Sequence, residues 1–432
     1  MRISLGPADG WKQSLALTGD KSLSHRSLIL GAMARGNSTV RGLSRGADVA
    51  STAHCLRLLG ARIENPEPGL VSIVGWGEDG PREPEEILDC GNSGTTLRLL
   101  SGLLAGSPGF YVLDGDASLR RRPQGRIVRP LTGMGGNLWA RQGDNLCPLA
   151  IKGAQLSAFD GSPEVASAQV KSCIVLAALA SGCEVNLTEL GHTRDHTEMM
   201  LRGLGVPIKS DGLKVSLPRG PHRWDGFEFE VPGDPSSAAF LVAAAVLGRG
   251  TRVKVEGVGL NPTRIGFFRI LERMGARLTL EETGERMGEP VGTITAESSR
   301  LVGTTVEREE VPPSIDEFPL LAVVATAAEG HTTVRGAEEL RVKESDRILS
   351  VVTELSKMGA RITEAEDGFT VYGPTPLTGA EVECHHDHRL EMSLAVAALT
   401  ARGQTHLLNA GWASISFPEF WDFYPGDQDH GG

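Results

Sequence analysis

Two hydrophobic patterns alternate along the chain. Stretches of Ala, Leu and Val that are apolar on nearly every face are followed by short segments in which apolar and polar residues take turns. The first pattern predicts helices buried all round rather than lying on a surface. The second predicts half-buried strands of period two. The pair recurs as SLILGAMARGNSTVRGL, LLSGLLAGSPGFYVLDG, CIVLAALASGCEVNLTEL, FLVAAAVLGRGTRVKVEGV, LLAVVATAAEGHTTVRGA and LAVAALTARGQTHLLNAG. Each apolar run closes on a glycine, at Gly36, Gly106, Gly182, Gly250, Gly330 and Gly403. Glycine there suits a left-handed C-cap, and the spacing of roughly 70–80 residues marks an internal repeat.

In the first five copies a second helix follows, ending in LRLLGARI, LTGMGGNL, LRGLGVPI, LERMGARL or LSKMGARI. These helices are amphipathic, with apolar residues such as Val352, Leu355 and Met358 returning every three to four positions. A hairpin closes most copies, as in SDGLKVSLP and EDGFTVYGP, where Asp-Gly is a strong turn signal. The predicted architecture is an α/β fold of six repeats, each a buried helix, a strand, an amphipathic helix and paired strands. The sixth copy is cut short after SFPEFWDFY, while RISLG and SLALTG at the N-terminus have strand alternation with no helix before them. Both are expected to complete the sixth repeat, which would make one domain discontinuous in sequence.

A length of 432 residues exceeds what one ordinary core organises and predicts two domains. The net charge of −11 disfavours nonspecific binding to nucleic acid or to an anionic membrane surface. No apolar run reaches the ~20 residues of a membrane span, and MRISLGPADGWKQSL has neither the apolar core of a signal peptide nor the bias of a transit peptide. Cys55, Cys90, Cys147, Cys173, Cys183 and Cys384 form no CxxC pair and are expected as reduced, buried thiols of a cytoplasmic protein.

The chemistry concentrates where the apolar helices begin, at GDKSLSHR, CGNSGTTLR, ASAQVKS, GDPSSAAF, SIDEFPL and HHDHRLEM. Ser, Asp and Asn there cap free backbone amides. Capping does not account for Lys21, Arg26, Arg98, Lys171 and Arg389, since a cation at a helix N-terminus opposes the helix dipole. An anion held by both the cations and the amides would reconcile them. The second helices add RRRPQGR (Arg120–Arg126), Arg194 in HTRDH, and Arg341, Lys343 and Arg347 in RVKESDR. An acidic chain that gathers its bases at equivalent places of a repeat predicts a multiply charged ligand in a cleft shared by the helix starts. GNSGTT suits phosphate or carboxylate but is not a Walker A loop. HHDH (His385, His386, His388) and HTRDH (His192, His196) carry zinc-ligand residue types, yet Arg389 and Arg194 beside them would repel a divalent cation, and no metal is expected. Asp316 in SIDEFP and Glu344 in RVKESDR are candidates for an acid/base pair in a site otherwise built from cations.

GDKSLSHR, GNSGTTLR, RRRPQGR, SAQVKS, IDEFP, LRVKESDR and DHR follow one another over nearly the full length. Together they resemble the EPSP synthase (3-phosphoshikimate 1-carboxyvinyltransferase) family of the shikimate pathway. The resemblance implies an enolpyruvyl transferase fold of two domains, each with three βαβαββ units, at 19–232 and at 1–18 plus 233–432. It implies transfer of the enolpyruvyl group of phosphoenolpyruvate to the 5-hydroxyl of shikimate 3-phosphate through a tetrahedral intermediate, with no cofactor or metal, by a monomer. Ser22, Arg26, Ser167, Ala168, Gln169 and Arg194 match positions that hold shikimate 3-phosphate, with Lys21, Asp316 and Lys343 at the same ligand. Lys21, Asn92, Gly94, Thr95, Arg122, Gln169, Arg347 and Arg389 match the phosphoenolpyruvate side. Lys21, Asp316, Lys343, Glu344 and His388 fall at the catalytic end, Glu344 exchanging the proton at C3 and Asp316 accepting the hydroxyl proton.

The chain departs from the family pattern at Gln124, where an apolar residue is usual, at Glu339 in place of an Asn, and at Ile415 in place of a Lys. Gly94 leaves the loop unsubstituted, which the resemblance links to binding of the inhibitor glyphosate, while Leu99 stands where Pro is frequent. Two alternatives stand beside this reading. One is the enolpyruvyl transferase that acts on UDP-N-acetylglucosamine, whose loop cysteine RRRPQGR lacks. The other is a non-catalytic binding protein for phosphorylated metabolites, which would leave Asp316 and Glu344 without a task.

Overall fold

A computed structural model describes residues 1–67, 69–426 and 428–431. The chain divides into two compact units. One comprises Thr18–Pro232 with Glu285–Glu289, the other Met1–Leu17 with Gly233–Gly284 and Pro290–Gly432. Each has its own hydrophobic core. No helix among the described residues is long and apolar enough to cross a membrane.

The apolar runs form the helices Lys21–Met33, Gly94–Ala105 and Ala168–Ser181 of the first unit and Pro235–Leu247, Phe318–Ala325 and His388–Thr400 of the second. They are buried around nearly their whole circumference; every residue of Phe318–Ala325 is enclosed. The amphipathic helices are Ala47–Leu58, Gly125–Gly133, His196–Gly203, Gly266–Arg273 and Arg347–Lys357. Among the described residues the sixth repeat has two single helical turns there, Ala413–Ile415 and Phe420–Phe423.

Among the described residues the strands form six four-stranded sheets of one plan. The strand leaving each buried helix pairs in parallel with an outer strand and antiparallel with an inner one. Asn37–Arg41, for example, lies between Glu228–Glu230 and Leu70–Val74. In four repeats the parallel partner precedes the buried helix, as Leu88–Asp89 precedes Gly94–Ala105. The first and fourth repeats take theirs from elsewhere in the same unit, Glu228–Glu230 and Lys12–Ala16 respectively. The two N-terminal strands therefore part company. Arg2–Leu5 completes the sixth repeat by pairing with Thr405–Leu407 and Gln428–Gly431, whereas Lys12–Ala16 runs parallel to Arg252–Glu256 in the fourth. Their alternation is alike, so only the open sheet edge decides which repeat each one joins.

Five of the six closing glycines take the left-handed conformation, with φ from 67° to 96°. Gly106 does not; its φ is −91°. Glycine is required there by contact, because a Cβ would sit 2.6 Å from the Ala177 carbonyl oxygen. Four residues earlier, a Cβ on Gly102 would meet the Cys173 carbonyl oxygen at 2.1 Å, where the helices Gly94–Ala105 and Ala168–Ser181 cross. Gly102→Ala is expected to force these helices apart and destabilise the protein by about 1–3 kcal/mol, the usual cost of overpacking. An unchanged midpoint in urea denaturation would contradict this.

Candidate active site

In the first unit the buried helices begin at Lys21, Gly94 and Ala168, and hydrogen bonds tie their first turns together. Asp20 and Ser93 accept from the amides of Leu23 and Thr96 as N-caps, while Ser167 caps the third helix without a side-chain bond. Lys21 Nζ donates to Asp48 Oδ2 at 3.1 Å. Arg26 is buried and donates to Thr197 Oγ1 (2.7 Å), Ser172 Oγ (2.8 Å) and the Ser22 carbonyl (3.0 Å). Burial pulls its pKa down to about 10, with Glu198 and Asp20 opposing, so it remains a cation at neutral pH. His25 joins Thr52, Thr96 and Ser93 in a buried chain of hydrogen bonds between the first two helix starts. Burial, then Lys21 and Arg26, hold its imidazole well below the usual pKa, and it is neutral.

The glycine-rich loop is braced on both sides. Asn92 accepts from Arg122 Nη2 (2.7 Å) and donates to Asp116 (2.7 Å). Gln169 donates to Thr95 Oγ1 (2.9 Å) and accepts from Arg98 Nη1. A Cβ on Gly94 would lie 3.4 Å from Arg98 Nη1 and 3.5 Å from Arg122 Nη1. Two guanidinium groups thus border Gly94, which has no side chain. Ser22, Asn92, Thr95, Ser167, Ala168, Gln169 and Arg194 are all partly exposed, so helix-start amides, hydroxyls and cations are presented together.

Lys171 is different from the other helix-start cations. Its ammonium lies 2.9 Å from Glu189 and 2.7 Å from Glu198, and the side chain is 1% exposed. Burial alone would lower its pKa, but the two glutamates hold it above the ordinary value. The expectation that Lys171 serves an external anion is therefore corrected: its counter-charges are internal. Glu189 also accepts from Thr193, which anchors the residue next to Arg194.

In the second unit the carboxylates gather on one cation. Arg347, at the start of Arg347–Lys357, is 2% exposed. Its guanidinium lies 3.6 Å from Asp316, 2.7 Å from Glu344 and 2.8 Å from Asp387. Asp316 sits in the turn before Phe318–Ala325, and Asp387 caps His388–Thr400 through the Arg389 amide. Arg347 is pushed above its already high pKa, since Asp387 and Glu344 outweigh burial. Lys343 is lowered, first by loss of water and also by Arg347, against Glu339, Asp316 and Glu344. Arg389 lies 3.7 Å from Glu317 and 5.8 Å from the Phe240 ring centroid. Ser236 donates to Glu317 and accepts from Arg264 at 3.0 Å, linking the three helix starts of this unit as well. Asp316 and Glu344 remain partly exposed, at 19% and 14%. Carboxylates that are partly exposed beside a buried guanidinium are candidate proton acceptors.

The histidines are engaged in other ways. His385 bonds Glu354 at 2.8 Å, His386 packs edge-on against Trp412, and His196 pairs with Glu289 at 2.6 Å. His388 is buried at its helix start. All six cysteines are free and buried, and burial raises the Cys173 thiol far above neutrality. The sequence marks Arg98 only as one of the helix-start cations that an anion would reconcile, and Gln124 only as a departure from the family pattern; neither is assigned there to a particular substrate.

The family model for EPSP synthase (3-phosphoshikimate 1-carboxyvinyltransferase) matches residues 8–423. A 3-phosphoshikimate 1-carboxyvinyltransferase of Synechococcus sp. (strain JA-3-3Ab) is 48% identical over 420 residues, covering 97% of this chain and 95% of its own. Another from Shouchella clausii (strain KSM-K16) is 45% identical over 413 residues, with 96% of each chain covered. An EPSP synthase structure from Acinetobacter baumannii superposes with a TM-score of 0.87 and 40% identity over 99% of this chain and 100% of that one. The enolpyruvyl transferase NikO of Streptomyces tendae has a TM-score of 0.79 at 18% identity, covering 100% and 98%, a likeness of fold alone.

Proposed function

The chain belongs to the EPSP synthase (3-phosphoshikimate 1-carboxyvinyltransferase) family, and on that premise we propose how its residues divide the work. The protein is a transferase that moves the enolpyruvyl group of phosphoenolpyruvate to shikimate 3-phosphate. The 5-hydroxyl oxygen adds to C2 while C3 takes up a proton. The tetrahedral adduct then loses phosphate from C2 and a proton from C3, restoring the double bond.

In this reading the unit spanning 18–232 carries most of the acceptor contacts. Ser22, Arg26, Ser167, Ala168, Gln169 and Arg194 hold shikimate 3-phosphate, with Lys21 neutralising transferring phosphate. Asn92, Gly94, Thr95, Arg122 and Gln169 hold phosphoenolpyruvate, and Arg347 and Arg389 are assigned to the same ligand. Bringing two anions into reach of one another requires such cations, which stabilise charge without rearranging at the moment of reaction. Asp316 accepts the hydroxyl proton, Glu344 exchanges the C3 proton, and Lys343 and His388 lie at the same catalytic end. The observation that carries these assignments is the pair of partly exposed carboxylates, Asp316 and Glu344, on the one buried Arg347.

The reading also takes the working form to be a cytoplasmic monomer. The six free thiols fit a reducing compartment, and sedimentation velocity tests the monomer. The activity is tested by mixing the protein with shikimate 3-phosphate and phosphoenolpyruvate and following phosphate. Release that depends on both substrates is expected. Release no faster than without protein, or equally fast with UDP-N-acetylglucosamine as acceptor, would overturn the reading.

A further inference from the structure

We propose that Gln124 is a positioning residue that sets the affinity for phosphoenolpyruvate by locking Arg98 and the Arg122 main chain into one hydrogen-bonded frame around Gly94. Gln124 stands at the N-cap of Gly125–Gly133, yet its side chain makes no capping bond. The amide is fully buried and both of its ends are used elsewhere. Oε1 accepts from Arg98 Nε at 3.1 Å, and Nε2 donates to the Arg122 carbonyl oxygen at 3.1 Å. Its own main-chain amide is fixed by the Asn145 carbonyl at 2.6 Å.

The frame reaches the glycine-rich loop by two arms. Through Arg98 it passes to Gln169 and on to Thr95. Through the Arg122 backbone it passes to a guanidinium whose Nη2 donates to Asn92. Arg98 Nη1 and Arg122 Nη1 lie at nearly equal distances from the Gly94 Cβ position, 3.4 and 3.5 Å. Two like charges so close repel; a neutral amide that accepts from one and holds the backbone of the other keeps both aimed at the same point. Gln is suited to this task because it donates and accepts at once, without adding a charge.

The inference rests on the assignment of Arg122, Gln169 and residues 92–95 to the donor. Gln124→Met keeps the length of the side chain and removes both bonds. It is expected to raise KM for phosphoenolpyruvate by about tenfold to a hundredfold, the effect of losing a hydrogen bond to a charged group, with KM for shikimate 3-phosphate within about twofold. Gln124→Glu still accepts from Arg98 but cannot donate to the Arg122 carbonyl, and is expected to recover part of the donor affinity. Arg98→Lys keeps the charge but cannot reproduce the Nε bond, and is expected to repeat the selective rise even if Gln124→Met fails to fold. An unchanged donor KM in a folded Gln124→Met or in Arg98→Lys, a parallel rise in both KM values, or equal behaviour of the Met and Glu variants would overturn the proposal. Arg122→Ala is the control. If it impairs the donor and Gln124→Met does not, the frame alone is wrong; if it spares the donor, the site assignment falls and the frame with it.

Discussion

Glu344→Gln is expected to lower kcat by about two to four orders of magnitude, the span of a lost general acid/base, while KM for shikimate 3-phosphate stays within about twofold. The substitution is chosen because it separates charge from shape. Glu344 receives Arg347 Nη2 at 2.7 Å, and a glutamine carbonyl oxygen in the same place still accepts that bond. Arg347 also keeps Asp387 and Asp316 around it, so the local structure persists. What disappears is a partly exposed oxygen able to take and return a proton. The decisive readout is exchange of the C3 protons with solvent deuterium, which should be lost together with turnover. Asp316→Asn should impair turnover through the hydroxyl proton instead. Turnover of Glu344→Gln within tenfold of the parent, with exchange intact, would remove Glu344 from the proton path.

Much of the fold is legible in the sequence because its logic is periodic. A helix apolar on every face can only be buried, and six of them followed by alternating strands imply six similar sheets. What is not legible is which sheet a strand joins when its pattern is shared. Lys12–Ala16 and Arg2–Leu5 both alternate, and they separate into the fourth and sixth repeats according to which edge is open. Nor does a C-cap pattern distinguish a glycine needed for its φ from one needed for contact, as Gly106 shows.

The candidate site is legible to a different degree. Cations at helix starts stand out against the dipole, yet the same signal arises from Lys171, whose partners Glu189 and Glu198 lie 18 and 27 positions further along. Pairing of that kind depends on the tertiary fold and leaves no local trace. Gln124 fails for the complementary reason. In RRRPQGR it shows only as a departure from the family pattern among four arginines, and its burial between Arg98 and Arg122 reveals what it holds.

Arg347→Met is expected to be the most damaging single change in the unit of Met1–Leu17 with Gly233–Gly284 and Pro290–Gly432, costing about 3–5 kcal/mol because it leaves buried charge uncompensated. Three carboxylates, Asp316, Glu344 and Asp387, lose one cation, and Asp387 is fully enclosed. The pH dependence gives the loss a signature. Burial pushes the Asp387 carboxyl up, yet Arg347 holds it below its ordinary 3.8. A carboxyl depressed in the folded state contributes stability that is complete above the unfolded pKa and disappears as pH falls through the folded one. In Arg347→Met burial acts on Asp387 without that opposition, so the variant gains relative stability once acid protonates the carboxyl. The difference from the parent should be widest near neutral pH and narrow towards pH 4 in thermal unfolding followed across that range. A gap that is constant with pH would mean that lost packing, and not charge, is responsible. Arg347→Lys should restore part of the stability but little of the turnover. One ammonium supplies the charge, but it cannot meet three carboxylates around a plane as a guanidinium does.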